Sequence, residues 1–171
     1  KILLVFLQNL HLLSFPYTQD EKKSKIAGLN LQRMPDALAK LALFQLKKIN
    51  RYNKRREEIV KLYSEQLGSL GYSFPSKNTS QLMRFVIFHP KRDDIYNFFR
   101  KRGVYLGKWY SVVIEPKGTD LKKIYYDPRS CPNAAALAKT VLQLPTYPTM
   151  KLKDAQRIID QLIDYATHTT G

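Results

Sequence analysis

Residues 28–35, Gly-Leu-Asn-Leu-Gln-Arg-Met-Pro, set polar and cationic groups where an extended stretch runs into a helix. The first N–H groups of a helix lack intrahelical partners and the helix dipole favours negative charge there, so Asn30 and Arg33 are candidate phosphate ligands. Pro35 suits the first helical turn. A second candidate is Trp109-Tyr110, followed by Ser111 to Pro116. Two amphipathic rings at the mouth of a short strand can line a ligand pocket and offer a hydroxyl, or can pack as core. The densest charge runs from Lys47 to Arg56 with Tyr52 inside it. Read as a phosphate-tracking face it would bind nucleic acid. Glu57, Glu58 and Glu65 offer helical partners, and no recognised nucleic-acid motif accompanies the run, so a solvated helix face is the stronger reading.

Other reactive residue types lead nowhere. His11, His89 and His168 have no neighbour at catalytic or metal-ligand spacing, and no metal site is expected. Cys131 is the single cysteine, so no internal disulfide can form, no Cys/His spacing suggests zinc, and it reads as a small buried residue. The glycines are isolated and form no phosphate loop. No catalytic residue is therefore assigned within this chain.

The elements that must hold these residues follow from pattern. The chain has 171 residues, 44% hydrophobic, enough for one ordinary domain with a real core. Its 29 Lys and Arg against 14 Asp and Glu give a net charge of +15, which points to an anionic partner. Residues 1–15 are apolar but interrupted by Gln8, Asn9 and His11, with no small-residue cleavage site, and too short to span a bilayer. They read as a buried or interfacial helix, and the Lys start reads as the back part of a longer protein. With no membrane span and no disulfide, a cytoplasmic location is the default.

Residues 16–34 read as a polar connection. From Pro35, apolar residues at three- and four-residue steps (Leu38, Ala42, Leu46, Ile49, Ile59, Tyr63, Leu67) predict one helix of roughly 50 Å, ended by Gly68 and Gly71. Leu82 to Phe88 reads as a strand, Lys91 to Arg102 as a helix, and Val104 to Leu106 and Val112 to Ile114 as short strands. Asn133 to Gln143 reads as a helix stopped by Leu144-Pro145, and Lys153 to Tyr165 as a last helix. The class is α+β: a small sheet covered by helices.

The order of these motifs resembles the DegT/DnrJ/StrS family of pyridoxal-phosphate-dependent sugar aminotransferases. That family carries Gly-aromatic-Asn-aromatic-Arg-Met at its large-to-small domain crossing, resembled here by Gly28-Leu29-Asn30-Leu31-Gln32-Arg33-Met34. Gln45-Leu46, Arg55-Arg56, Gly103-Val104, Trp109-Tyr110, Glu115-Pro116, Cys131-Pro132-Asn133-Ala134 and Leu144-Pro145-Thr146 follow in the family's order. The likeness runs from about Gly28 to Tyr165.

The resemblance implies the small-domain lobe of a fold type I transferase, entered by a long inter-lobe helix. Residues 1–34 would be a remnant of the large domain and the crossing, 35–71 the helix, and 72–171 the small domain. It implies a pyridoxal 5'-phosphate cofactor, a homodimer with sites at its interface, a keto-sugar nucleotide substrate and an amino-acid donor. Asn30 and Arg33 would meet the cofactor phosphate, and Trp109 and Tyr110 would line the substrate pocket. The family's Asn-x-Arg spacing is one residue longer here, and its aromatic positions are Leu29 and Leu31. Nothing in residues 1–27 resembles the Ser- and Gly-rich setting of the Schiff-base lysine, so the chain alone is expected to be inactive. Two other readings stand beside this one: a basic nucleic-acid-binding module, and a degenerate, non-catalytic dimer partner.

Overall fold

A computed structural model describes residues 20, 23–25, 33–75 and 82–169 of the chain. The chain divides into two compact units, Arg33–Ser111 with Ala136–Gly171, and Lys1–Gln32 with Val112–Ala135.

The first unit opens with α1 (Asp36–Leu46) and α2 (Ile49–Ser69). The single long helix read from the apolar pattern is thus two. At the junction Lys48 N–H donates to the Gln45 carbonyl, three residues back instead of four, which over-tightens the turn and ends α1. The Lys48 ammonium folds back over the Phe44 ring, 3.7 Å from its centre. The two helices also differ in burial. α1 buries none of its residues, whereas α2 buries Ile59, Val60, Tyr63 and Leu67. The predicted stripe therefore holds only over its second half, where each step of three or four lands on the core. Beyond Ser69, Gly71 takes φ +77°, the left-handed conformation that lets Tyr72 N–H return to the Leu67 carbonyl.

β1 (Arg84–Phe88) pairs antiparallel with β2 (Val141–Pro145), with Phe85 opposite Leu144 and Val86 opposite Gln143. Successive side chains alternate across a strand, so Phe85, Ile87, Leu142 and Leu144 share one face. All four are 0–1% exposed. Arg84, Val86 and Gln143 share the other. α3 (Arg92–Lys101) places Asp93 and Asp94 in its first turn and Arg100 and Lys101 in its last, matching the helix dipole, and buries Ile95 and Phe99. α4 (Pro132–Thr140) runs directly into β2, and α5 (Leu152–Thr169) closes the chain. α5 packs on α2 and α3, and its residues Ala155, Ile159 and Leu162 are fully buried. The Tyr63 hydroxyl donates to the Pro145 carbonyl at 3.2 Å, tying α2 to the end of β2.

Two further expectations change. Val141 to Pro145 is a strand, where the sequence reading carried a helix to Gln143. Val141, Leu142 and Leu144 are buried apolar residues, and the pairing of this run with β1 overrides a helical tail of only three residues. Val112 to Ile114 forms bends instead of a strand, Val104 to Leu106 forms no strand either, and one bridge follows it, Gly107 opposite Gln143. Among the described residues no helix is long and apolar enough to cross a membrane.

Candidate functional site

Gly107 lies in close quarters. An added Cβ would lie 2.7 Å from Gln143 Oε1 and 3.3 Å from Arg84 Nη1. Backbone bonds join Gly107 and Gln143 in both directions, at 2.9 and 2.8 Å, so the segment lies along the edge of β2. The Gln143 carboxamide is 9% exposed and donates through Nε2 to the Trp109 carbonyl. That bond fixes the chain two residues past the bridge and turns Trp109 and Tyr110 outward. Both rings are open to solvent, Trp109 60% and Tyr110 65% exposed. They are not core.

The Arg84 guanidinium stacks on Trp109, its carbon 4.5 Å from the ring centre. Lys108, between the bridge and the rings, reaches the other way. Its ammonium pairs with Asp93 at 3.0 Å and sits 4.1 Å from the centre of the Tyr96 ring. Asp93 also receives hydrogen bonds from Arg92, and these two cations hold its carboxyl below the usual carboxylate range. Arg92 is buried and additionally donates to the Ala138 carbonyl. Of the cations around this segment, Arg84 has no carboxylate partner among the described residues.

Arg33 is exposed just ahead of α1, where Pro35 is the N-cap and Asp36 occupies the first turn. An anion at that helix start would meet the Asp36 carboxylate as well as Arg33. Asn30 lies outside the described residues, as does His11. Trp109 and Tyr110 are neighbours on one segment, so the structure presents the predicted substrate pair together. It does not join Arg33 to them by any hydrogen bond or ion pair among the described residues.

The basic run on α2 is not one continuous face. Arg55 pairs with Glu58 at 2.7 Å, and Arg56 is half-buried with Nη1 on Asn53. Arg51, Lys54 and Arg55 line a depression of about 410 Å³ with Tyr52 and Thr149. Cys131, expected to be buried, is exposed, and lies just ahead of α4. His89 is half-buried, and its Nδ1 accepts from Lys91 N–H at 3.0 Å. Among the described residues no cluster of side chains could hold a metal ion.

Arg84, Gly107 and Gln143 were missed by the sequence reading. A signal exists for one of them: Gln143 is the lone amide in an otherwise apolar strand, and a buried amide there must bond something.

The model of the DegT/DnrJ/EryC1/StrS aminotransferase family matches residues 7–163. The structure is similar to S. venezuelae DesV in complex with a ketimine intermediate, at TM-score 0.69 and 21% identity over 82% of this chain and 41% of that one. It is similar to a DegT DnrJ EryC1 StrS aminotransferase from Brucella abortus, at 0.66 and 19% over 84% and 40%. An aminotransferase from Psychrobacter cryohalolentis matches at 0.64 and 16%, over 97% and 46%. The chain thus spans less than half the length of each of these solved chains.

Proposed function

Because this chain belongs to the DegT/DnrJ/EryC1/StrS aminotransferase family, we propose that it is the C-terminal, small-domain segment of a pyridoxal-phosphate-dependent aminotransferase acting on keto-sugar nucleotides. The observation that carries this reading is the family match through residues 7–163. The exposed Trp109 and Tyr110, held out by Gln143, add a surface suited to a ring-bearing substrate.

The described residues do not by themselves fit the cofactor. A lysine that condenses with a carbonyl is activated by a desolvating or cationic pocket, and no described lysine is buried. Pyridoxal phosphate, when bound, supplies an electron sink at the amino-bearing carbon. Asn30 and Arg33 are assigned to its phosphate, and Trp109 and Tyr110 to the sugar nucleotide. The lysine belongs to the part of the longer polypeptide that precedes this segment, in a cytoplasmic dimer with an amino-acid donor. In this reading residues 1–34 are the crossing from that part, 35–71 the connecting helices and 72–171 the small domain. The bare apolar face of α1 is then the seat of the preceding body, which agrees with the share of the solved relatives that this chain leaves uncovered.

The test is an absorbance titration with pyridoxal phosphate, on this chain alone and on the chain joined to the coding sequence preceding it. The expected result is no Schiff-base band from the chain alone and a band from the joined protein. A band from the chain alone overturns its assignment as inactive. No band from either overturns the aminotransferase reading.

A further inference from the structure

We propose that Arg84, whose guanidinium lies over the Trp109 ring, is the residue that captures the anionic group of the ligand bound over Trp109 and Tyr110, through a bidentate contact to a phosphate or carboxylate. This rests on the reading that these rings face the substrate and adds to it the group that fixes the substrate's charged end.

The argument begins with the cation's surroundings. The guanidinium carbon is 4.5 Å from the Trp109 ring centre, and contact with an aromatic face leaves a guanidinium its planar fork of N–H donors, the geometry that matches two oxygens of one anion. Arg84 is exposed and has no carboxylate partner among the described residues. Its neighbours cannot take the role. Lys108 is spent on Asp93, and Arg92 on Asp93 and the Ala138 carbonyl.

The surroundings are also built. Arg84 Nη1 and Gln143 Oε1 both border the place a Cβ on Gly107 would fill. Gln143 Oε1 is buried and has no hydrogen-bond partner among the described residues, while the same carboxamide clamps the Trp109 carbonyl. A buried acceptor without a donor is costly, and the donor-rich fork of Arg84 lies beside it. The amide, the missing Cβ and the indole therefore restrict where the guanidinium can sit, so the cation is positioned before any ligand arrives.

Trp109 is the single tryptophan of the chain, so its fluorescence reports on this place alone. The chain is titrated with UDP, with pyrophosphate and with glutamate, following Trp109 emission. The same titrations are run on Arg84→Ala, Arg84→Lys and Lys108→Ala, with urea unfolding confirming that each variant is folded. The expected result is a saturable change with at least one of the three probes, weakened roughly tenfold or more by Arg84→Ala. Arg84→Lys restores only part of the affinity because an ammonium has charge but no fork, and Lys108→Ala binds like the parent. Response to UDP and pyrophosphate assigns the anion to a phosphate; response to glutamate assigns it to the donor's carboxylate. Binding that is indifferent to Arg84→Ala overturns the role of Arg84 and leaves the aminotransferase reading standing. No response to any probe in the parent chain overturns the site itself, while the absorbance titration judges the aminotransferase reading separately.

Discussion

Replacing Gly107 by alanine sets a methyl group 2.7 Å from Gln143 Oε1 and 3.1 Å from its Cβ, closer than side chains settle without movement. The neighbour that gives way is the amide holding the Trp109 carbonyl. Gly107→Ala is expected to cost about 1–3 kcal/mol in urea unfolding and to shift Trp109 emission in the native state. His89 yields a pH dependence. Burial, then the charge of Lys91, lowers its pKa below the ordinary value of 6.5. A proton on Nδ1 would also cancel the bond accepted from Lys91 N–H. The folded state thus binds protons less readily than the unfolded chain, so this contribution to stability is complete above pH 6.5 and lost as pH falls below it. Urea midpoints at pH 7.5 and about 5.5 should differ less in His89→Asn than in the parent; an equal difference in both assigns the effect elsewhere. At this scale the sequence showed which residues had the right chemistry but not where they point. Trp109-Tyr110 read equally well as core or pocket, and only the Gln143 clamp, between residues 34 positions apart, turns the pair outward. Cys131 failed for a related reason, since small apolar character says nothing of whether the residue ahead of a helix is covered.

Helices with strong periodicity were legible as elements. Ile95, Phe99 and the Ala155, Ile159, Leu162 series fall where their spacing puts them, because an amphipathic helix carries its own record of which side is dry. The break at Lys47-Lys48 was not, because an apolar stripe that continues through a turn looks the same as one that does not. β2 was hidden for the opposite reason: five residues straight after an alanine-rich helix give no room for alternation to show, and β1, which pairs with it, is far away in sequence. These two helical types respond differently to truncation. Leu162→Ala in α5 leaves a cavity in a fully buried site and should cost about 2–5 kcal/mol. Leu41→Ala with Phe44→Ala in α1, at 55% exposure each, should move the unfolding midpoint by less than about 0.5 kcal/mol. The same pair should reduce self-association in sedimentation, since it removes apolar surface that no described residue covers. Equal destabilisation by the two sets would show that α1 is packed in the isolated chain.

For the whole molecule, the family is established and the chain spans 41% of DesV, 40% of the Brucella relative and 46% of the Psychrobacter relative. Composition alone could not have supplied that frame. A net charge of +15 is compatible with nucleic acid and with nucleotide sugars alike, and part of the basic run proves to be committed to Glu58 and Asn53. What pointed to the family in the sequence was the order of short motifs, among them the crossing at Gly28 to Met34, the Trp109-Tyr110 pair and Leu144-Pro145 at the end of β2. Leu38, Leu41, Leu43, Phe44 and Leu46 on α1 are each more than half exposed. Inside a cell, five such side chains on one short helix are what chaperones and proteases recognise, so a copy whose helix stays uncovered is held or destroyed. On the proposed reading, a truncated product that lacks the preceding body is therefore cleared by turnover and does not accumulate.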